Sequence, residues 1–362
     1  MNNQTITQTY SNKIKVLSVI AIIMVLFIHV QMKEGASMPV VEYVQRVFGF
    51  CGLSFIANPF FFVVSGFFFF RGVSLVSDCH PKIMKRVRTL FVPYVLWNVL
   101  FVSFFVVCYH VPALSRYVGT QMVENIFGSG VVNALFEIFV RPANFPLWFL
   151  RDLMIYVALS PLFFWALTKY KKGALIVFFI LGTLGLLFLP PVIKLWGTFF
   201  FVLGGYIALH SSLDNVSDGI SVRMAVICGV VYVFNAFFRP LAIVPLNGTD
   251  MFVEFCGLIA LWRLSDFVIR DYNRCPLLRV SPFVFFVFVF HEPSLTILNK
   301  VGILLLGLHE WSLILLGIIN PFIMLLLSVL VARVIKALCP TAYSLIVGGR
   351  GVKSSVCTSF SS

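Results

Sequence analysis

Residues 17–30 read LSVIAIIMVLFIHV, a run of apolar side chains with a serine near its start and a histidine near its end. Similar runs recur along the chain, which has 362 residues, 60% of them hydrophobic and 11% charged. Soluble domains average about 25% charged residues. Because a helix needs about 20 apolar residues to cross a bilayer, the sequence predicts an integral membrane protein.

The predicted fold is all-α, a polytopic bundle of about ten transmembrane helices. Strand-length segments that alternate apolar and polar residues are missing, which disfavours a membrane barrel. The ten predicted helices cover residues 14–32, 47–70, 89–109, 147–168, 174–190, 195–210, 223–239, 251–270, 281–299 and 311–333. Residues 16–30 could also form a signal-peptide core, but a histidine inside such a core disfavours cleavage. We therefore predict an uncleaved first helix.

Lysine and arginine are distributed unevenly along the chain. The formal net charge is +13, which in a soluble protein would suggest a nucleic-acid partner. Here the basic residues lie between apolar runs, so we predict no nucleic acid and attribute them to membrane orientation, anionic lipid or a phosphorylated ligand. With a cytoplasmic N-terminus, 19 of the 27 basic residues lie inside and 7 outside. Both termini are therefore predicted to be cytoplasmic.

Two regions are predicted. Residues 1–336 form the transmembrane domain, and residues 337–362 form a cytoplasmic tail that is rich in serine and glycine and predicted to be disordered. The outer loop 110–146 contains VVNALFEIFV at 131–140, which is too short to span and is predicted to lie at the interface or to re-enter.

The eight cysteines lack zinc-site spacing, so neither a disulfide framework nor a metal site is predicted.

His29 is the first candidate functional residue. It lies 11 residues after Ser18 and 14 after Lys15, and helical geometry places all three close to one face of the first helix. That face carries a cation at its cytoplasmic end and an imidazole toward its outer end. One interpretation is a packing histidine that bonds to a neighbouring helix. The other is a functional group, since ionisable side chains at membrane depth usually serve function.

Six segments, in this order, resemble those of the acyltransferase-3 family of integral membrane proteins, which O-acylate glycans of the cell envelope. Members have a basic residue, ten intervening residues and a histidine on the first helix. Ser18 occupies the basic position here, and Lys15, one turn earlier, could replace it. The six segments are LSVIAIIMVLFIH (17–29), NPFFFVVSGFFFF (58–70), KRVRTLFVPYVLW (85–97), PLWFLRDLMIYVALSP (146–161), FFVLGGYIALH (200–210) and SPFVFFVFVFHEPSL (281–295).

The resemblance implies a donor site at the inner face. Coenzyme A carries several phosphate charges, and arginine matches phosphate oxygens in a bidentate way. Lys15, Lys85, Arg86 and Arg88 are the residues expected to bind it. The alternative for the last three is that they only fix the orientation of the protein in the membrane.

The resemblance also implies a catalytic group near the outer face. His29 would act as general base, and Arg151 and His291 would stabilise the oxyanion or place the acceptor. Glu292 could orient one of the two histidines. Arg151 and Asp152 are adjacent charges inside a predicted helix, and we expect each to pair with a different helix because neighbouring residues point about 100° apart.

The resemblance therefore implies an acyltransferase of the bacterial inner membrane. It would move an acyl group, most simply acetyl, from acyl-CoA to a hydroxyl of an envelope polysaccharide or its lipid-linked precursor, directly or through an acyl-histidine intermediate. The expected partners are acyl-CoA, the glycan acceptor and membrane lipid, with no permanently bound cofactor. Two alternatives are a permease that exports a polysaccharide or small solute, and an inactive member of the family.

Overall fold

The computed structural model describes residues 6–30, 38–49, 52–115, 140, 142–188, 195–241 and 249–350. Within these ranges the chain is helical and forms no strand, so the predicted all-α class is confirmed. Short 3₁₀ turns join several helices, and a π-helical segment, Val87–Phe91, precedes α5. The α-helices are α1 (Gln8–His29), α2 (Pro39–Phe48), α3 (Ala57–Phe70), α4 (Cys79–Arg86), α5 (Val92–His110), α6 (Pro112–Ser115), α7 (Trp148–Ala158), α8 (Ser160–Tyr170), α9 (Lys172–Phe188), α10 (Leu195–His210), α11 (Leu213–Gly219), α12 (Val222–Phe238), α13 (Asp250–Val268), α14 (Val284–Leu306), α15 (Glu310–Leu338) and α16 (Pro340–Ile346).

Several of these helices suit a bilayer. Five of them in the described part of the chain are long and apolar enough to cross it, and the bent pair α7–α8 makes a possible sixth. Three shorter apolar helices, α3, α9 and α10, add to the bundle. The chain is thus a multi-pass membrane protein. Each of the ten predicted segments contains a helix, while the number of spans and the side on which the termini lie stay predictions.

The distribution of side chains is that of a protein solvated by lipid. Large aliphatic groups stand on the outside of the bundle, as at Leu304 and Leu326, which are 85% and 69% exposed. Polar groups instead meet inside it, where the Asn320 side chain donates a hydrogen bond to Asn299 at 2.7 Å and both residues are buried. Lipid offers no hydrogen bonds, so polar groups gain by pairing within the bundle.

Helices α3 and α10 pack closely against each other. A Cβ atom on Gly66 would approach the Phe201 carbonyl oxygen to 1.9 Å, and one on Gly204 would approach the Val63 oxygen to 2.0 Å. Any side chain at either position would push the helices apart. Small residues at membrane helix contacts allow this close approach.

Two predicted helices are interrupted in the structure. The segment predicted at 47–70 is helical only from Ala57, because α2 ends at Phe48 and Gly52 lies in a turn where a Cβ would clash with the Val47 oxygen. The segment predicted at 147–168 bends by 59° between α7 and α8. Pro161 lies in the first turn of α8, where a missing N–H is tolerated and the preceding helix ends.

The C-terminal region differs from the predicted disordered tail that starts at residue 337. Helix α15 runs to Leu338, α16 follows, and the described chain continues to residue 350. Tyr343 is 1% exposed, and the Trp97 indole donates a hydrogen bond to the Ile346 oxygen at 3.0 Å. Buried aromatic contacts to α5 and α14 thus order a segment whose composition suggested disorder. Residues 351–362, and most of the apolar piece 131–140, lie outside the described residues.

Candidate active site

The two predicted catalytic histidines face each other. His29 is the last residue of α1, and His291 lies on α14, 262 residues later in the chain. Their ring centroids are 4.9 Å apart, and the Phe145 ring lies 6.3 Å from that of His29. Packing of α1 against α14 holds this arrangement. The structure therefore brings together the two imidazoles that the sequence singled out separately.

His291 has a defined hydrogen-bonding state. Its Nδ1 lies 2.7 Å from the Phe288 carbonyl oxygen, and because a carbonyl only accepts, Nδ1 carries a proton. The side chain is fully buried, and its Nε2 finds no hydrogen-bond partner among the described residues. In the neutral ring, Nε2 then offers a lone pair within the space next to His29. Such a nitrogen is suited to accept or relay a proton.

Glu292 follows His291 at a break in α14. Its backbone leaves helical geometry at φ −106° and ψ 133°, just before Pro293. The carboxylate accepts a hydrogen bond from the Thr296 hydroxyl at 2.9 Å, one turn further along the same helix. The break thus lies next to His291 along α14, and the Glu292 carboxylate reaches Thr296. Its predicted role, orienting an imidazole, stays a prediction.

Arg151 and Asp152 on α7 pair with each other, whereas the sequence predicted partners on different helices. Arg151 Nη2 lies 2.7 Å from Asp152 Oδ1, and its Nε donates to the same oxygen at 2.8 Å. The long arginine side chain folds back over its neighbour, which overcomes the 100° between their Cβ directions. Arg151 also donates to the Val140 oxygen. Phe149 on the same helix reaches Phe288, with ring centroids 5.8 Å apart.

The predicted donor residues lie away from the histidines. Lys15 is exposed and its ammonium donates to Asn12 Oδ1 at 3.3 Å. Fourteen residues of helix put it about 21 Å from His29 along α1. Lys85 and Arg88 are exposed and Arg86 is half-buried, at the junction of α4 and the π-helical segment. These three form one group, and Lys15 stands on a different helix.

A cavity of about 610 Å³ opens elsewhere in the bundle. Ile14 and Leu17 of α1 line it, together with apolar residues of α3, α10 and α13. None of the eight predicted site residues borders it. His210 and Lys172 also line this cavity, but we place the chemistry at the histidine pair, because there two imidazoles lie in contact with each other.

The family model for the acyltransferase domain matches residues 12–335, which is most of the chain. The chain belongs to the acyltransferase-3 family. It is therefore an enzyme, an O-acyltransferase, as the six segments predicted. The succinoglycan biosynthesis protein ExoH of Rhizobium meliloti (strain 1021) is 26% identical over 356 residues, and the match covers 94% of this chain and 92% of that protein. No solved structure matches the chain.

Ser18 stands where the family resemblance implied a basic residue, and the structure shows the contact that the serine makes. The Ser18 hydroxyl donates to the Ile14 carbonyl of its own helix at 2.7 Å. The buried cation of this region is instead Lys13, which is 2% exposed. Its ammonium lies 2.7 Å from Asp266 Oδ1 and 4.3 Å from the centre of the Trp262 ring.

Sequence reasoning about the acyltransferase missed the pairing of Lys13. A lysine at the start of an apolar helix is expected at the membrane surface, and Asp266 lies 253 residues away in the chain. Tyr272 completes the cluster by donating to Asp266 at 2.9 Å, and burial raises the pKa of its hydroxyl so that it stays a donor. The sequence signal for this pairing was Asp266 itself, an acidic residue near the end of the apolar segment 251–270.

Proposed function

We propose that this acyltransferase moves an acyl group, most simply acetyl, from acyl-CoA to a hydroxyl of an envelope polysaccharide or its lipid-linked precursor in the bacterial inner membrane. The contact between His29 and His291 carries the proposal, since it places two groups that can move protons inside the bundle of a family member. The polysaccharide acceptor is supported by the relative, which is a succinoglycan biosynthesis protein.

The reaction needs one base and one leaving group. His29 takes the proton from the acceptor hydroxyl as its oxygen attacks the thioester carbonyl carbon. The new carbon–oxygen ester bond forms, the carbon–sulfur bond breaks, and the coenzyme A thiolate leaves and takes up the proton. The His291 ring lies next to that of His29, and its Nε2 atom would position the acceptor hydroxyl or share the proton. Neutral imidazole suits this task because its ordinary pKa is near 6.5.

The remaining predicted residues take supporting roles. Arg151 lies on the helix whose Phe149 contacts Phe288, and its guanidinium would stabilise the oxyanion. Glu292 would orient His29 or His291 from the break in α14. The predicted donor residues, away from the histidines, would hold the phosphates of coenzyme A. The donor would then extend along the bundle so that its thioester reaches the histidines.

The test uses purified, detergent-solubilised full-length protein. We expect it to release free thiol from acetyl-CoA when envelope glycan from the cells that produce the protein is added. His29→Gln should lower this release by about 10²–10⁴-fold. His210→Gln is the matched control, since His210 also bonds a backbone oxygen, that of Leu167 at 3.0 Å, but lies outside the site. Mass spectrometry of envelope glycans from cells with and without the gene identifies the product.

Two results would reject the proposal. Equal thiol release by His29→Gln and wild type, per molecule of folded protein, removes His29 as the base. An unchanged glycan acylation pattern without the gene, together with no thioester cleavage in vitro, removes acyl-CoA as the donor. If the glycan also fails to leave the cytoplasm of cells without the gene, the protein is a permease rather than an acyltransferase acting on acyl-CoA.

A further inference from the structure

The chain beyond the family match folds back onto the inner end of the bundle. The match ends at residue 335, whereas α16 and the turn after it contact α5 and the π-helical segment. Gly348 and Gly349 have positive φ values of 62° and 77°, which reverse the chain at little steric cost. A Cβ on Gly348 would lie 2.5 Å from the Thr89 carbonyl oxygen, so this close approach also requires glycine.

The turn delivers Arg350 to the π-helical segment. Its Nη1 donates to the Thr89 oxygen at 2.7 Å and to the Val347 oxygen at 2.9 Å. The guanidinium carbon lies 3.9 Å from the centre of the Phe285 ring. Both hydrogen bonds use the same nitrogen, so Nε and Nη2 have no hydrogen-bond partner among the described residues. A guanidinium fixed by one edge presents its other edge to a ligand.

Arg86 is the second guanidinium near this segment, because it ends α4 three residues before Thr89, whose oxygen Arg350 binds. Burial, and to a lesser degree the charge of Arg86, lower the pKa of Arg350 to about 10. Within the described ranges, neither arginine forms an ion pair with a carboxylate. The buried Thr89 hydroxyl, on the segment that both arginines flank, also lacks a partner there. Two half-buried like charges without a counter-ion disfavour the free state, and an anion between them would relieve it.

The face of α14 connects this place with the histidines. Phe285 lies under Arg350, Phe288 follows one turn later with ring centroids 6.4 Å apart, and Phe288 lies 6.2 Å from the His291 ring. Six residues of helix separate Phe285 from His291, a rise of about 9 Å. An elongated ligand with its anionic end at the arginines would therefore follow aromatic side chains to the reacting groups.

We propose that Arg86 and Arg350 form a phosphate-binding site for the diphosphate end of the donor, with Arg350 supplied by the C-terminal segment outside the family domain. The identity of the donor rests on the proposed function, while the anion site rests on the two arginines. A lipid headgroup has the same phosphate chemistry. The aromatic path to His291 favours the soluble donor, because a lipid phosphate has no need of it.

The experiment compares Arg350→Gln and Arg350→Lys with wild type in the full-length protein. We expect Arg350→Gln to raise the Kd for coenzyme A and the KM for acetyl-CoA about tenfold or more, with kcat within twofold. Acetyl-pantetheine, which has the thioester but no phosphate, should be used equally by both proteins. Arg350→Lys should keep part of the affinity, since it retains the charge. Arg274→Gln is the matched control, because it removes the same charge from a side chain that is 91% exposed.

Inorganic diphosphate separates this inference from the proposed function. It should raise the melting temperature of wild type and not of Arg350→Gln, even if acyl-CoA is not the donor. Equal coenzyme A and diphosphate binding by both proteins overturns the site. An equal loss with acetyl-CoA and acetyl-pantetheine assigns Arg350 a structural role instead. A loss confined to stabilisation by phosphatidylglycerol vesicles, with coenzyme A binding intact, assigns the site to lipid.

Discussion

Replacing His29 and His291 by glutamine, singly and together, tests whether the two imidazoles act as one unit. Loss of a general base typically costs about 10²–10⁴ in rate, which corresponds to about 2.7–5.4 kcal/mol in the barrier. Because the rings are 4.9 Å apart, the two substitutions should not act independently. The double variant should be about as slow as His29→Gln alone, rather than slower by the product of the two losses.

The same substitutions have a structural cost that must be kept separate. His291→Gln removes the hydrogen bond from Nδ1 to the Phe288 oxygen in a fully buried position. An unsatisfied buried acceptor costs about 1–3 kcal/mol, enough to lower the amount of folded protein. His29 is only half-buried, so its replacement should affect folding less.

The assay is acyl transfer per molecule of membrane-inserted protein, measured as product ester and released thiol. Normalising to inserted protein removes the structural cost from the comparison. A variant that folds normally but turns over slowly locates the defect in the chemical step. His291→Gln alone should be less impaired than His29→Gln if His291 positions the acceptor.

Either of two outcomes would refute this reasoning. Turnover near that of wild type in His29→Gln means that His29 is not the base. Losses that multiply in the double variant mean that the histidines contribute independently, and the contact between their rings is then only packing.

Three further predictions concern the Lys13–Asp266 pair, donor binding at Lys15 and the orientation of the chain in the membrane. Asp266→Asn leaves the buried ammonium of Lys13 without its carboxylate and should destabilise the protein by about 3 kcal/mol, while adding Lys13→Met should recover most of the melting temperature. If Lys15 replaces the family's basic residue, Lys15→Ala should weaken coenzyme A binding about tenfold and Ser18→Arg should restore part of it; unchanged affinity in both makes Lys15 an orientation signal only. A reporter fused after residue 350 should be active only in the cytoplasm and one within 110–146 only outside, and an external signal at residue 350 contradicts the proposed orientation.

Hydropathy and spacing were enough to find most of the architecture. Each apolar segment predicted from the sequence contains a helix. In lipid the backbone N–H and C=O groups must bond to each other, and a helix satisfies them within the segment. His29 and His291 stood out because an ionisable side chain in an apolar membrane helix costs free energy and usually has a partner or a function. Helix ends were less predictable, since the turn at Gly52 and the bend before Pro161 depend on local backbone contacts.

Charge placement could not be inferred in the same way. Nothing in the sequence indicated that the flexible Arg151 side chain folds onto Asp152, its neighbour in the chain. A lysine at the start of an apolar helix is expected at the membrane surface, but packing of α1 near the end of α13 buries Lys13 against Asp266. Side-chain rotamers and helix packing decide both outcomes, and neither leaves a periodic signal in the sequence.

The amino-acid sequence by itself determined that this chain is an all-helical membrane protein with two histidines in apolar helices, because those properties follow from local composition. Only the tertiary structure decided that His29 and His291 meet across 262 residues, and that Arg350 returns to Thr89 across 261. Contacts at that separation depend on how the helices pack and cross. In this chain glycine at contact points, aromatic side chains on α14 and buried polar pairs set that packing.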